Sequence, residues 1–135
     1  MIFLFLTVVL WGTTAIFDKL ALGKVAPFTG IMVRQFIIAG MLLLAGLGSN
    51  RLVQLGALEG RSILLFGLSG ICGGLIALWT YYHALRLGGA SLVVPIAATY
   101  PLVTAFLSWA VLGESLTWPR IIGTGFIVLG IWMVK

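Results

Sequence analysis

Residues 27–47 read PFTGIMVRQFIIAGMLLLAGL, and this stretch decides the fold. Its one charged side chain is Arg34, and apart from Thr29 and Gln35 everything around it is apolar or small. A helix of that length, rising ~1.5 Å per residue, covers the ~30 Å of a bilayer's hydrocarbon core. Outward from it the chain repeats the pattern. Apolar blocks fill residues 2–22, 62–85, 90–112 and 119–134, which gives five spans in one domain over residues 1–135. Lipid offers no hydrogen bonds, so each block must satisfy its own backbone. Blocks this long do so as helices, not as barrel strands.

Composition agrees. Of 135 residues, 61% are hydrophobic and 8% charged, against about 25% charged in a soluble domain. Too few polar side chains are present to cover a water-facing surface. The net charge of +5 comes from scattered cations near block ends, where headgroups suit them. With no basic run among aromatics, no nucleic-acid partner is expected. The single cysteine, Cys72, allows no disulfide within the chain. The first block lacks a basic leader and runs on into a second, so a span is expected there, not a cleaved signal. The fold class read here is an all-α, multi-pass membrane protein, a five-helix bundle.

Connections are short. Residues 23–26 and 86–89 are tight hairpins with glycines at the turns, and Pro119 suits the first turn of the last helix. The longest link, residues 48–61, is expected to rest its leucines and Val53 on the membrane surface. Trp109, Trp118 and Trp132 lie near span ends, as in an interfacial belt. Gly70 with Gly74, and Gly123 with Gly130, have the spacing of close helix contacts.

Five spans put the termini on opposite sides. Arg51, Arg61 and Arg120 fall on the N-terminal side, and Lys19, Lys24, Arg86 and Lys135 on the other. Cations fix orientation through imbalance, and here the sides are nearly equal. Two copies inserted in opposite senses would form an inverted repeat, an architecture common among transporters. An antiparallel homodimer is therefore one expectation, with a single orientation as the alternative.

Ionisable groups inside a membrane are functional candidates because they are costly. Asp18 and Arg34 stand at similar distances on either side of the first hairpin. Both fall roughly 11–13 Å inside it and are placed to pair. Arginine keeps its proton, so Arg34 needs a partner, a wet cavity or an anion. Lys19 joins the coupling or ion-pair candidates, with snorkelling to the headgroups as its alternative. Tyr82 and His83 flank the second hairpin on the same side, with Trp79 deeper; Thr14 and Tyr100 approach the midplane and Trp11 lies just past it. Arg34 would attract a carboxylate or phosphate. Trp11, Thr14, Trp79, Tyr82 and Tyr100 complete the candidate substrate site, the aromatics as apolar or cation–π walls. Asp18 would carry a coupling proton if substrate removed its partner. Pro95 and Pro101 disfavour a straight fourth helix, as at discontinuous transport helices. His83 is expected near headgroups, and Glu114 at the fourth helix's end or a nearby loop.

Catalysis is poorly supplied. There are three carboxylates, one histidine and one cysteine. Gly67-Leu-Ser-Gly lacks the spacing of a nucleophile elbow, and Ser69 and His83 stand far apart on one helix. No metal-ligand cluster or phosphate loop is present. No enzyme activity, cofactor or metal is expected.

Taken in order, Trp11-Gly12, Lys19, Arg34-Gln35-Phe36-Ile37-Ile38-Ala39, Tyr82-His83-Ala84-Leu85 with Ala90-Ser91, Pro95, Pro101-Leu102, Leu112-Gly113-Glu114, Gly123 and Gly130 run the length of the chain. This set resembles the EamA domain of the drug/metabolite transporter superfamily. The resemblance implies a secondary transporter of a small metabolite or drug in the cell (inner) membrane, with substrate in a central cavity. The commonest family form has ten spans in two inverted halves, and this chain corresponds to one half. A second copy or a homologous five-span partner is therefore implied, with membrane lipid around both. Asp18 lies outside the family pattern. Small superfamily members also include lipid-linked flippases and their subunits, which is one alternative; a non-transporting assembly subunit is another.

Overall fold

The computed structural model describes residues 1–49, 51–115 and 117–134, with Val134 by its backbone alone. Among these residues the regular structure is helical: α1 (Ile2–Leu22), α2 (Pro27–Gly48), α3 (Gly60–Leu87), α4 (Ala90–Leu112) and α5 (Trp118–Val134). The first four are long and apolar enough to cross a membrane; the fifth is apolar but shorter. Lys135, placed among the cations by the sequence, lies outside the described residues. Two compact units divide the chain, Met1–Arg86 and Leu87–Lys135.

In the first unit, α1 turns at Gly23–Ala26 into α2. Lys24 N–H donates to the Ala21 carbonyl at 3.2 Å, and Pro27 opens α2 where a missing N–H costs nothing. A 3-10 helix, Arg51–Ala57, follows α2. It lies back on α2 so closely that a Cβ at Gly46 would sit 2.7 Å from Leu52 Cδ2. The buried core is small: Ala15, Leu22, Ile31, Tyr82 and Leu85. Most other large apolar side chains are exposed, for instance Phe36 and Leu44. That distribution is untenable in water and natural in lipid, where apolar surface carries no penalty.

The middle of α3, Gly70–Ala77, is wound as a π-helix. Three glycines in this stretch lower its α-helical preference. A partner from α2 meets it here: Gln35 Nε2 donates to the Gly74 carbonyl at 3.0 Å. A Cβ at Gly74 would come within 3.1 Å of that amide, whereas one at Gly70 meets nothing within 4 Å. The close approach expected of the glycine pair therefore falls on Gly74 alone. It admits a polar side chain to a backbone oxygen instead of a second backbone.

In the second unit, α4 is interrupted once, at Ala98–Thr99, between its halves Ala90–Ala97 and Tyr100–Leu112. Pro95 lies inside the first half, and Pro101 begins the second, where its ring is tolerated. Thr99 Oγ1 donates to the Ile96 carbonyl at 2.7 Å across the break. Gly113 ends the helix in the left-handed region at φ 68°, and Glu114 N–H closes back on the Ser108 carbonyl at 3.2 Å. The first half of α4 lies against α5. A Cβ at Gly123 or Gly130 meets nothing within 4 Å, so the contact expected of that pair is not made among the described residues.

Candidate functional site

The tight turn between α1 and α2 sets the two helices antiparallel and brings Asp18 opposite Arg34. Arg34 Nη1 lies 3.3 Å from Asp18 Oδ2. Tyr82, from α3, completes a triangle: its hydroxyl donates to Asp18 Oδ1 at 2.8 Å and accepts from Arg34 Nη1 at 3.2 Å. Both carboxylate oxygens are thereby engaged, each by a different helix. The Tyr82 ring is buried, and it fits because α2 carries Gly30, where a Cβ would sit 3.4 Å from Tyr82 Cε2. Gly30 stands one turn before Arg34 on the same face.

The triangle opens onto a groove of about 490 Å³. Besides Asp18, Arg34 and Tyr82 its walls are mostly apolar, including Phe17, Leu22, Val25, Val33 and Ile38, with Thr14 at the far end. Thr14 is four residues from Asp18, and Ile38 four from Arg34, so the groove runs along facing stripes of α1 and α2. The Arg34 side chain is 36% exposed and that of Asp18 17%, so the guanidinium is the more open of the two. Opposite charges in contact leave the cluster neutral, which is what makes two charges tolerable among apolar walls.

Of the residues singled out in the sequence, Asp18, Arg34, Tyr82 and Thr14 thus line one groove. Thr14 Oγ1 is turned to its own helix, donating to the Trp11 carbonyl at 2.7 Å. Trp11 and Trp79 stand outside the groove. Trp11 is exposed, and Trp79 packs edge-on to His83 one turn along α3, with ring centroids 4.9 Å apart. Trp11 stands seven residues before Asp18, about 10 Å further along α1, and Trp79 is turned to His83 and not to the charged pair. Lys19, grouped with Asp18 and Arg34, points elsewhere because consecutive helical residues diverge by ~100°. Its ammonium donates to the Leu85 carbonyl at 2.5 Å and the Arg86 carbonyl at 3.4 Å. There it caps the last turn of α3, whose final carbonyls have no partner within the helix. Gly30, Phe17, Val33 and Ile38 were missed. The signal for Gly30 and Ile38 was register, one turn either side of Arg34; Phe17 and Val33 directly precede Asp18 and Arg34.

Tyr100, Pro95 and Pro101 belong to the second unit. There Tyr100 and Pro101 line a separate groove of about 380 Å³ with Thr104, Ser108, Glu114 and Arg120. Glu114 Oε2 lies 4.0 Å from Arg120 Nη1, an exposed pair across the α4–α5 link.

Comparison with known proteins bears on what this arrangement serves. The model of the EamA-like transporter family matches residues 1–135. An uncharacterized protein of Methanocaldococcus jannaschii is 30% identical over 130 residues, covering 96% of this chain and 91% of its own length. A Sinorhizobium protein described as an uncharacterized transporter is 27% identical over 118 residues, covering 87% and 82%. No solved structure matches the chain. With apolar helices long enough to cross a bilayer and a family match over its whole length, the chain is a multi-pass membrane transporter and belongs to the EamA-like transporter family.

Proposed function

We propose that the chain is a secondary carrier of a small metabolite or drug, working by alternating access as a pair of five-span units. The observation that carries this reading is the charged triangle of Asp18, Arg34 and Tyr82 opening onto an apolar groove within the span-forming helices. A structural ion pair needs no cavity beside it; a binding site does. The work is carriage, not catalysis. The partner is a second copy inserted in the opposite sense, or a homologous five-span protein. The near-equal cations on the two sides support dual insertion, and the interruption of α4 supports a discontinuous helix of the kind that rocking transporters use. The cell (inner) membrane is the proposed location.

Counterflow tests this. Liposomes holding the purified chain, preloaded with a panel of unlabelled metabolites and drugs, are given the labelled counterpart outside. Transient accumulation of at least one solute is expected, and its abolition in Arg34→Gln liposomes. Accumulation of none, under conditions where the protein remains folded, overturns the carrier.

A second reading is a lipid-linked flippase or a subunit of one. Phe17 and Val33, which line the groove, are themselves largely exposed, so an acyl chain has an apolar path beside it. Under that reading a lipid headgroup, and no soluble metabolite, competes for the site.

A further inference from the structure

Among the described residues, every hydrogen bond of the Arg34 guanidinium runs through Nη1. That one nitrogen serves both Asp18 Oδ2, at 3.3 Å, and Tyr82 Oη, at 3.2 Å. Among the described residues the Nε and Nη2 donors, which form the other edge of the planar fork, meet no acceptor within hydrogen-bond distance. This edge belongs to the more exposed member of the pair, and the groove beside it is lined by Phe17, Val25, Val33 and Ile38. A guanidinium edge of two parallel N–H groups fits a carboxylate in bidentate fashion.

Resting on the carrier reading above, we propose that the groove takes a monocarboxylate with an apolar body, and that each such anion enters together with one proton held by Asp18. The groove of about 490 Å³ accommodates a small organic acid. Its apolar walls suit a hydrocarbon body, and the open fork suits one carboxylate.

The proton follows from charge. Asp18 and Arg34 are neutral together, so an added carboxylate leaves one uncompensated negative charge among apolar walls, which is costly. Uptake of one proton from bulk water onto an Asp18 oxygen restores neutrality, and the proton leaves again with the anion. No covalent bond is made or broken beyond that O–H. The charged and titratable groups facing Asp18 are Arg34 from α2 and Tyr82 from α3. Tyr81, also on α3, is within electrostatic reach of both ions, and Lys19, its neighbour on α1, reaches to the Leu85 carbonyl. Tyr82 holds Arg34 through its hydroxyl oxygen whether Asp18 is charged or neutral, so the fork stays in place.

Calorimetry on the purified full chain in phosphatidylcholine nanodiscs tests this, with sodium butyrate, hexanoate and octanoate as probes and hexanamide as the uncharged control. The acids bind and the amide does not. The measured heat varies with the buffer's ionisation enthalpy at a slope of about one proton per acid, and the dissociation constant rises as the pH is raised. In Asp18→Asn the slope and the pH dependence vanish and binding at the alkaline end tightens. Arg34→Lys, which keeps the charge and loses the fork, weakens hexanoate at least tenfold. Acid binding without proton uptake, or equal binding of the amide, overturns the proposal. Hexanoate binding lost when phosphatidylglycerol replaces phosphatidylcholine would give the site to an anionic lipid headgroup and overturn the free-acid assignment. If counterflow carries some other solute and no alkanoate binds, the substrate class fails and the carrier stands; if counterflow carries nothing, the carrier itself fails.

Discussion

Replacing Tyr82 by Phe removes one oxygen and leaves the ring that fills the space over Gly30. Two hydrogen bonds go with it, the donation to Asp18 at 2.8 Å and the acceptance from Arg34 at 3.2 Å. A hydrogen bond to a charged group contributes about 1.5–3 kcal/mol in a soluble protein. Between helices in a membrane the average is nearer ~0.6 and the upper end ~1.7 kcal/mol. Tyr82 is buried and the Asp18 side chain is only 17% exposed, which favours the upper end for the first bond. Arg34 is 36% exposed and its bond is the longer of the two, so little is added for the second. The expected cost is about 1.5 kcal/mol, roughly a tenfold shift toward the unfolded state. Equilibrium unfolding in mixed micelles, at fixed protein concentration and followed by tryptophan fluorescence, reads it. Combining Tyr82→Phe with Asp18→Ala should give a coupling energy of about 1 kcal/mol, since both changes remove the same bond. A Tyr82→Phe cost below about 0.3 kcal/mol with no coupling would show that the triangle does not hold the helices together.

Lys19→Gln should destabilise by about 0.5–1 kcal/mol, because it removes a cation from the α3 terminus; the same unfolding assay applies, and an unchanged midpoint counts against the cap. Gly30→Leu should displace the Tyr82 ring and cost about 1–3 kcal/mol, whereas Gly30→Ala, whose Cβ sits at 3.4 Å from the ring edge, should be nearly neutral. Gln35→Leu leaves the Gly74 carbonyl without its donor and should cost about 0.6 kcal/mol, with hydrogen exchange rising in Gly70–Ala77 ahead of the rest of α3. Reporter fusions at either terminus should give comparable signals on both sides of the membrane, and adding two lysines to one terminus should collapse them to one; a single orientation from the start removes the antiparallel homodimer.

The fold class was legible because lipid imposes a simple demand. A block such as residues 27–47 has no other way to satisfy its backbone, so hydropathy alone names the helix. The level of one pair relative to its hairpin was legible too. Counting from the hairpin near Ala26 sets Asp18 against Arg34, and the structure pairs them at 3.3 Å. Facing was not legible. Lys19 shares the level of the pair but points from another face to the Leu85 carbonyl, and rotation about a helix axis is fixed by partners the sequence does not display. Gly30 is the clearest miss. A glycine in an apolar helix is common, and only the Tyr82 ring packed over it gives it a purpose. The π-helical stretch of α3 was likewise unreadable. Three glycines permit it, and Gln35 reaches across from α2 to the Gly74 carbonyl within it.

Whether water reaches the Arg34 groove is the question on which the carrier rests most directly. A thiol reacts with maleimide as the thiolate, which forms in water and not among acyl chains. With Cys72 replaced by alanine, Ile38→Cys lines the groove, whereas Leu44→Cys is exposed on the same helix away from it. In nanodiscs, where both membrane faces are open to reagent, the Ile38→Cys thiol should react with a soluble maleimide at least ten times faster than the Leu44→Cys thiol, a ratio of about 1.4 kcal/mol in ionisation. Equal, slow reaction at both positions would mean that the groove is filled with lipid, and the hydrated chamber would be contradicted.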